Sequence, residues 1–255
     1  MTAAGGMLTG ASCALAGFRW IARPGLRRWV AAPLAISLVV VGGGMWWLFG
    51  VIGAQAQAAA EAASAWLPAW LAWGAGAVEW LVWLLAVIPA LLLGAAGFGV
   101  LANVVGAPFN ARLAAEVARA CGRPPPAGPT DLRGLVKAPW EETRKLLYLG
   151  VRALPFLLLF VIPGLQVAAP FLWLLYAGWA SAFEHLDYPL SNEGMGVDEI
   201  RDVLRRHRAA AWGFGLVAYG LYALPLVNIV AMPAGVAGAA LLWSRHLAGA
   251  GASPA

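Results

Sequence analysis

The sequence predicts an all-α integral membrane protein, folded as a single membrane domain over residues 1–255. Its parts are two long transmembrane helices, two short re-entrant (hemi-penetrating) helical hairpins, and amphipathic cytoplasmic helices. The first observation is composition. Hydrophobic residues are 62% of the chain and charged residues 11%, against about 45–50% and about 25% in soluble domains. So much apolar surface must face something other than water. The second is a pair of long uncharged runs, Trp29–Gly50 and Leu81–Val105. The third is a pair of shorter apolar stretches, broken by Pro and Gly and charged at both ends.

Residues 1–18 are small and mildly apolar, with Leu8, Leu15 and Phe18 on one face. They read as a short interfacial segment or a frayed start. Arg19, Arg23, Arg27 and Arg28 follow with no acid among them. Such a cluster stays cytoplasmic, which puts the N-terminus on that side. Trp29–Gly50 reaches roughly 33 Å as a helix, enough to span the hydrocarbon core. Pro33 lies in its first turns, where proline costs least, and Trp46 and Trp47 lie near its far end. Residues 51–77 carry Gln55, Gln57 and Glu61 but no Lys or Arg, as expected outside the cytoplasm. Leu81–Val105 then returns the chain, with Pro89, Gly94, Gly97 and Gly99 permitting a kink and close packing.

Arg112, Glu116 and Arg119 mark a helix at about four-residue spacing, and Gly122 to Pro126 breaks it. Thr130 to Lys145 is charged and helical, with Glu141 and Lys145 as an i,i+4 pair. Leu146–Ile162 forms the first hairpin arm, split by Pro155; Pro163-Gly164 turns the chain, and Leu165–Ala182 is the second arm. The next unit repeats the plan, with arms Trp212–Leu224 and Ala234–Trp243 around a turn at Pro225–Pro233. Charge at both ends of each hairpin places those ends, and the C-terminus, in the cytoplasm. The arms are either tight full spans or re-entrant hairpins that dip part way, and short arms with breakers at the tip favour partial penetration. Broken backbone survives in a membrane only where protein or a watery cavity covers it, which implies an assembled core and an oligomer.

The 17 basic and 12 acidic residues give a formal charge of +5. The basic residues sit beside apolar runs, which suits membrane lipid headgroups rather than nucleic acid. Cys13 and Cys121 are isolated and show no metal-ligand spacing. No cleavable signal peptide is recognised, since no short apolar region follows a charged start. The cluster at Arg23-Pro24-Gly25-Leu26-Arg27-Arg28 has two readings. It sets topology and anchors to lipid, or it binds an anion. For the second, Gly25 allows a turn that gathers backbone N–H groups. The following helix start adds partial positive charge, and two guanidinium forks suit a tetrahedral oxyanion.

Other polar residues have ordinary explanations beside functional ones. Arg152 snorkels to the interface or lines a polar path. Glu79 is interfacial. Asn103, Asn110 and Asn228 cap broken backbone or line a pore. Glu184, His185 and Asp187 form a metal or proton-relay cluster, or simply membrane-exit polarity, and His207 sits among arginines that would repel a cation. No nucleotide-binding loop, His-Glu-x-x-His or nucleophile elbow is present. No catalytic residue, metal or cofactor is therefore expected, and the chain does not read as an enzyme.

Several stretches resemble the EI24 domain family of CysZ-type sulfate transporters of the bacterial inner membrane. They are Gly17-Phe18-Arg19, Pro24-Gly25-Leu26-Arg27-Arg28 with Pro33-Leu34, and Ala107-Pro108-Phe109-Asn110 with Leu113 to Val117. Glu141 to Tyr148, Phe160 to Gly164, Asp187-Tyr188-Pro189, Gly213-Phe214-Gly215 and Pro225 to Asn228 with Pro233 complete the set. Their order and spacing are more specific than any single piece. The resemblance implies sulfate uptake for cysteine biosynthesis, hemi-penetrating hairpins and assembly as a homo-oligomer, a dimer or larger. It also implies sulfate binding at the Gly-Leu-Arg loop, which here is Gly25, Leu26, Arg27 and Arg28. The alternative is a non-transporting scaffold or lipid-interacting protein whose arginines only anchor it.

Overall fold

The computed structural model describes residues 2–66, 68, 73–126 and 132–248. The Asn103 side chain and the start of the charged segment at Thr130 lie outside the described residues. Among the described residues the chain is helical throughout. The helices are α1 (Ala3–Ile21), α2 (Arg27–Trp66), α3 (Trp73–Ala120), α4 (Leu132–Leu159), α5 (Ala169–Asn192), α6 (Val197–Arg206), α7 (Arg208–Tyr222) and α8 (Pro225–Leu242). A π-helical turn, Trp243–Leu247, continues α8. The chain divides into two units, Ala31–Pro108 and the combination of Met1–Val30 with Phe109–Ala255.

Three helical stretches are long and apolar enough to cross a membrane: Arg27–Trp66, Gly76–Gly94 and Pro225–Leu247. Both long helices exceed the uncharged runs that announced them, because the Ala-rich residues after Gly50 continue α2. Ala31–Pro108 is an antiparallel helix pair. Met45 packs beside Gly94, and the Phe49 and Trp83 rings lie 6.4 Å apart. Leu38, Val39, Trp46, Trp47, Leu84 and Leu92 are exposed on this pair. Apolar surface on that scale fits acyl chains rather than water.

The other unit is built around α1, which packs along α7 and α8. This corrects the expectation of an interfacial or frayed N-terminal segment. The reason is side-chain size. Gly10 lies against the Ala210 carbonyl and the Phe214 amide, and Gly17 against the Ala234 carbonyl, so closely that a Cβ at either would overlap backbone. Gly6, Gly10, Ala14 and Gly17 form a row of small residues that lets helix backbones touch, as in membrane helix pairs. Cys13, Phe183, Leu186, Leu204, Phe214 and Leu242 fill the core beside it.

The remaining helices of this unit form two hairpins. In the first, α4 and α5 meet through aromatic pairs, Tyr148–Phe183 at 5.4 Å and Phe156–Tyr176 at 5.1 Å. The Tyr176 hydroxyl also donates to the Leu149 carbonyl at 2.7 Å. Gly164 takes the left-handed backbone (φ 86°) at the predicted tip. Pro155 does not split the arm: α4 runs on through it to Leu159. The second hairpin turns at Ala223–Leu224, not over Pro225–Pro233. Pro225 opens α8, where its missing N–H is no loss, and Pro233 lies inside the helix.

Polar residues gather at the opposite end from the tips. Lys145 bridges Asp187 and Glu142, each at 2.7 Å, and Arg144 reaches Asp198 and Glu141. Burial pulls the Lys145 ammonium toward neutrality, but Asp187 and Glu142 outweigh it and hold its pKa above the usual lysine range. Glu141 Oε2 accepts from the Val197 amide at the start of α6, tying α4 to α6 at this base.

Candidate functional site

The turn between α1 and α2 carries the arginine loop. Gly25 has φ 89°, which only glycine adopts without cost. The Leu26 and Arg27 amides both donate to the Arg23 carbonyl, at 3.1 and 3.2 Å. Two of the N–H groups expected to gather around an anion are thus used within the turn. The guanidinium groups are left as the main donors.

Beside this turn lies a cleft of about 430 Å³. Gly25, Leu26 and Arg28 line it with Trp20, Arg23 and Pro24 from the same connection. The last turn of α3 closes the other wall with Glu116, Arg119 and Ala120. Gly122 (φ 77°) ends that helix, with the Arg123 amide donating to the Ala118 carbonyl at 2.9 Å. This αL cap fixes where Arg119 stands. Arg119 pairs with Glu116 at 2.9 Å. Among the described residues, Arg23, Arg27 and Arg28 make no ion pair. Arg23 stacks on the Trp20 ring at 3.7 Å, and Arg28 lies 5.1 Å from the Trp29 ring. Such stacking orients a guanidinium and leaves its N–H edge free.

Of the four residues singled out from sequence, the cleft therefore brings together Gly25, Leu26 and Arg28. Arg27 is exposed but is not part of its lining. Sequence reasoning had Arg23 in the arginine cluster without naming it as a contact, and it missed Trp20 and Arg119 as wall residues. Nothing in the sequence linked the arginine cluster to the end of α3. The Trp29 indole N–H is buried without an acceptor among the described residues, and its ring lies 6.2 Å from Phe109.

The other polar candidates disperse. Arg152 stacks on Tyr148 at 4.0 Å, one turn back toward the charged base, as a snorkelling side chain does. Asp187 is taken by Lys145 and Ser191, Glu184 is exposed, and His185 is fully buried. His185 Nδ1 lies 2.7 Å from the Ser181 carbonyl and its Nε2 3.1 Å from the Tyr222 hydroxyl. A carbonyl only accepts, so Nδ1 carries the proton and Nε2 accepts from Tyr222. His185 is thus a satisfied core residue. Among the described residues no three His, Cys, Asp or Glu side chains are placed to hold a metal ion. Asn110 is buried, whereas Asn228 is exposed in the first turn of α8 and its side chain caps nothing among the described residues.

Comparison with known proteins shows the family. A family model described as EI24, sulfate transporter CysZ/etoposide-induced protein 2.4, matches residues 13–233. A protein of Pectobacterium atrosepticum named sulfate transporter CysZ is 37% identical over 232 residues, which cover 89% of this chain and 82% of that protein. The span matched by the family model takes in the arginine loop, the first hairpin and the wall residues of the cleft, and ends inside α8. The chain belongs to the EI24 family of CysZ-type sulfate transporters and etoposide-induced 2.4 proteins.

Proposed function

We propose that the protein carries sulfate across the bacterial inner membrane, supplying cysteine biosynthesis. The observation that carries this reading is the cleft at the arginine loop, where two guanidinium groups without carboxylate partners meet beside a glycine turn. Sulfate is a hydrated dianion that cannot enter hydrocarbon, so a carrier or channel must replace its water with donors. Arg28 and Arg23 supply charge-assisted donors, and Arg119 stands in reach behind its Glu116 pair. Arg27, on the adjoining side of the turn, adds positive potential that draws a dianion in. Membership in a family that includes named sulfate transporters supports the same cargo.

In this reading the protein is multi-pass, with both termini cytoplasmic and the loop facing that side. The hairpins are re-entrant, and their exposed tips, Val161, Val167 and Leu226 among them, meet lipid or a second copy. A homo-oligomer covers the interrupted backbone there. Sulfate passes between helices of the assembly, past the tips. No step of this transport requires a cofactor or a catalytic residue.

The test is growth of a bacterial strain lacking sulfate uptake, on limiting sulfate, with the chain expressed to equal membrane levels in each variant. Wild type restores growth, and the Arg27→Ala, Arg28→Ala double variant does not. Equal growth of the two, or no growth with either, would contradict the proposal.

A further inference from the structure

A second basic pocket, of about 450 Å³, lies on the other side of Trp20. Arg19 from the end of α1 and Arg23 from the turn after it line it, with Ser12, Trp20, Arg245 and His246. Arg19, Arg245, His246 and Ser12 take no part in the loop cleft; Arg23 and Trp20 border both. No carboxylate lines the pocket, and among the described residues none of its three arginines makes an ion pair.

Two features show that these charges are held together rather than scattered. The Trp20 ring is buried and carries the Arg23 guanidinium at 3.7 Å and the Arg245 guanidinium at 5.6 Å. Each stacking contact contributes about 0.5–1 kcal/mol at an exposed site. The two like charges it gathers repel one another, and an anion between them relieves that repulsion. Arg245 and His246 also sit within the π-helical turn, closed by the Ala248 amide donating to the Trp243 carbonyl at 3.0 Å. An extra residue in one turn re-aims the side chains around it, and such turns are frequent at functional sites.

We propose that this pocket is a second oxyanion site, holding one tetrahedral dianion or phosphate group through Arg19, Arg23 and Arg245. The chemistry is shared by a free sulfate queued beside the loop and by the headgroup of an anionic lipid. Because Arg23 borders both cavities, each site senses the occupancy of the other. The inference does not require transport, since Arg19 and Arg245 lie outside the loop cleft.

The experiment is calorimetric titration of the purified chain with inorganic sulfate, then inorganic phosphate, in neutral detergent. It is repeated in nanodiscs of phosphatidylcholine with and without phosphatidylglycerol. Wild type in detergent is expected to show two classes of sulfate site. Arg19→Gln with Arg245→Gln should remove one class or weaken it at least tenfold, and Arg28→Gln the other. Arg23→Gln should weaken both, and Arg19→Lys with Arg245→Lys should restore the first. If phosphatidylglycerol abolishes the pocket class and co-purifies less with the Gln pair, the occupant is a headgroup. If that class persists, it is a free anion, and either result upholds the site. Titrations and bound lipid identical for wild type and the Arg19, Arg245 pair in every medium would overturn it, whatever Arg28→Gln does.

Discussion

Replacing Arg28 by glutamine should weaken sulfate binding far more than the same change at Arg27. Arg28 lines the loop cleft and has no carboxylate to neutralise it, while the one acid in the wall, Glu116, is engaged by Arg119. Removing it deletes a charge-assisted hydrogen bond to a dianion, about 1.5–3 kcal/mol. At about 1.4 kcal/mol per tenfold, that is roughly 10- to 150-fold in Kd. Arg27 is outside the lining and acts only through its field. At physiological salt the screening length is about 8 Å, so its loss should cost no more than about twofold. Titration calorimetry of the single variants at fixed ionic strength reads the difference, with thermal melts to show that both fold. An Arg27→Gln defect as large as that of Arg28→Gln would refute the assignment of direct contact to Arg28.

Gly25→Ala should lose about 1–2 kcal/mol of stability and weaken sulfate binding. A Cβ there meets open space, so the cost is the left-handed backbone alone; Gly25→Asn should recover part of both, read by melting and calorimetry. Gly10→Ala should lower the detergent melting midpoint through about 1–3 kcal/mol of forced helix separation, because its Cβ would overlap α7 backbone, whereas Gly42→Ala, with nothing within 4 Å, should not lower it. Asp187→Asn should destabilise by about 2–4 kcal/mol, leaving the buried Lys145 with only Glu142; Lys145→Met in the same chain should recover most of it. The same pair sets a pH dependence. The folded-state pKa of Lys145 is raised, so its contribution is complete below the ordinary lysine pKa. It is lost only as the pH climbs past that range, and a melting series from pH 7 to 11 should show wild type, but not the Asp187→Asn, Lys145→Met variant, falling at the alkaline end.

What the sequence disclosed follows from which forces are local. Long uncharged runs announce helices that face lipid, because lipid demands unbroken apolar surface. Pro163-Gly164 announces a turn through backbone geometry alone, and Gly164 is found in the left-handed region. The role of α1 was hidden because its signal is small size rather than hydrophobicity. Gly6, Gly10, Ala14 and Gly17 matter only once α7 and α8 lie against them. Pro225 and Pro233 read alike in sequence, yet one opens α8 and the other lies within it. The candidate site was half legible. Gly25, Leu26 and Arg28 come from one loop and carry their own pattern. Arg119 and Arg245 arrive from the ends of distant helices, and only tertiary packing brings them beside Trp20.

Sulfate transport through the arginine loop is tested most directly by radiolabelled sulfate uptake into proteoliposomes of the purified, inserted chain. Wild type should accumulate sulfate down an imposed gradient, with excess sulfate but not chloride competing, and Arg28→Gln should reduce the initial rate at least tenfold at low sulfate. Uptake by Arg28→Gln at the wild-type rate, or no sulfate uptake by well-inserted wild type, would contradict the account and leave the arginines as anchors to lipid.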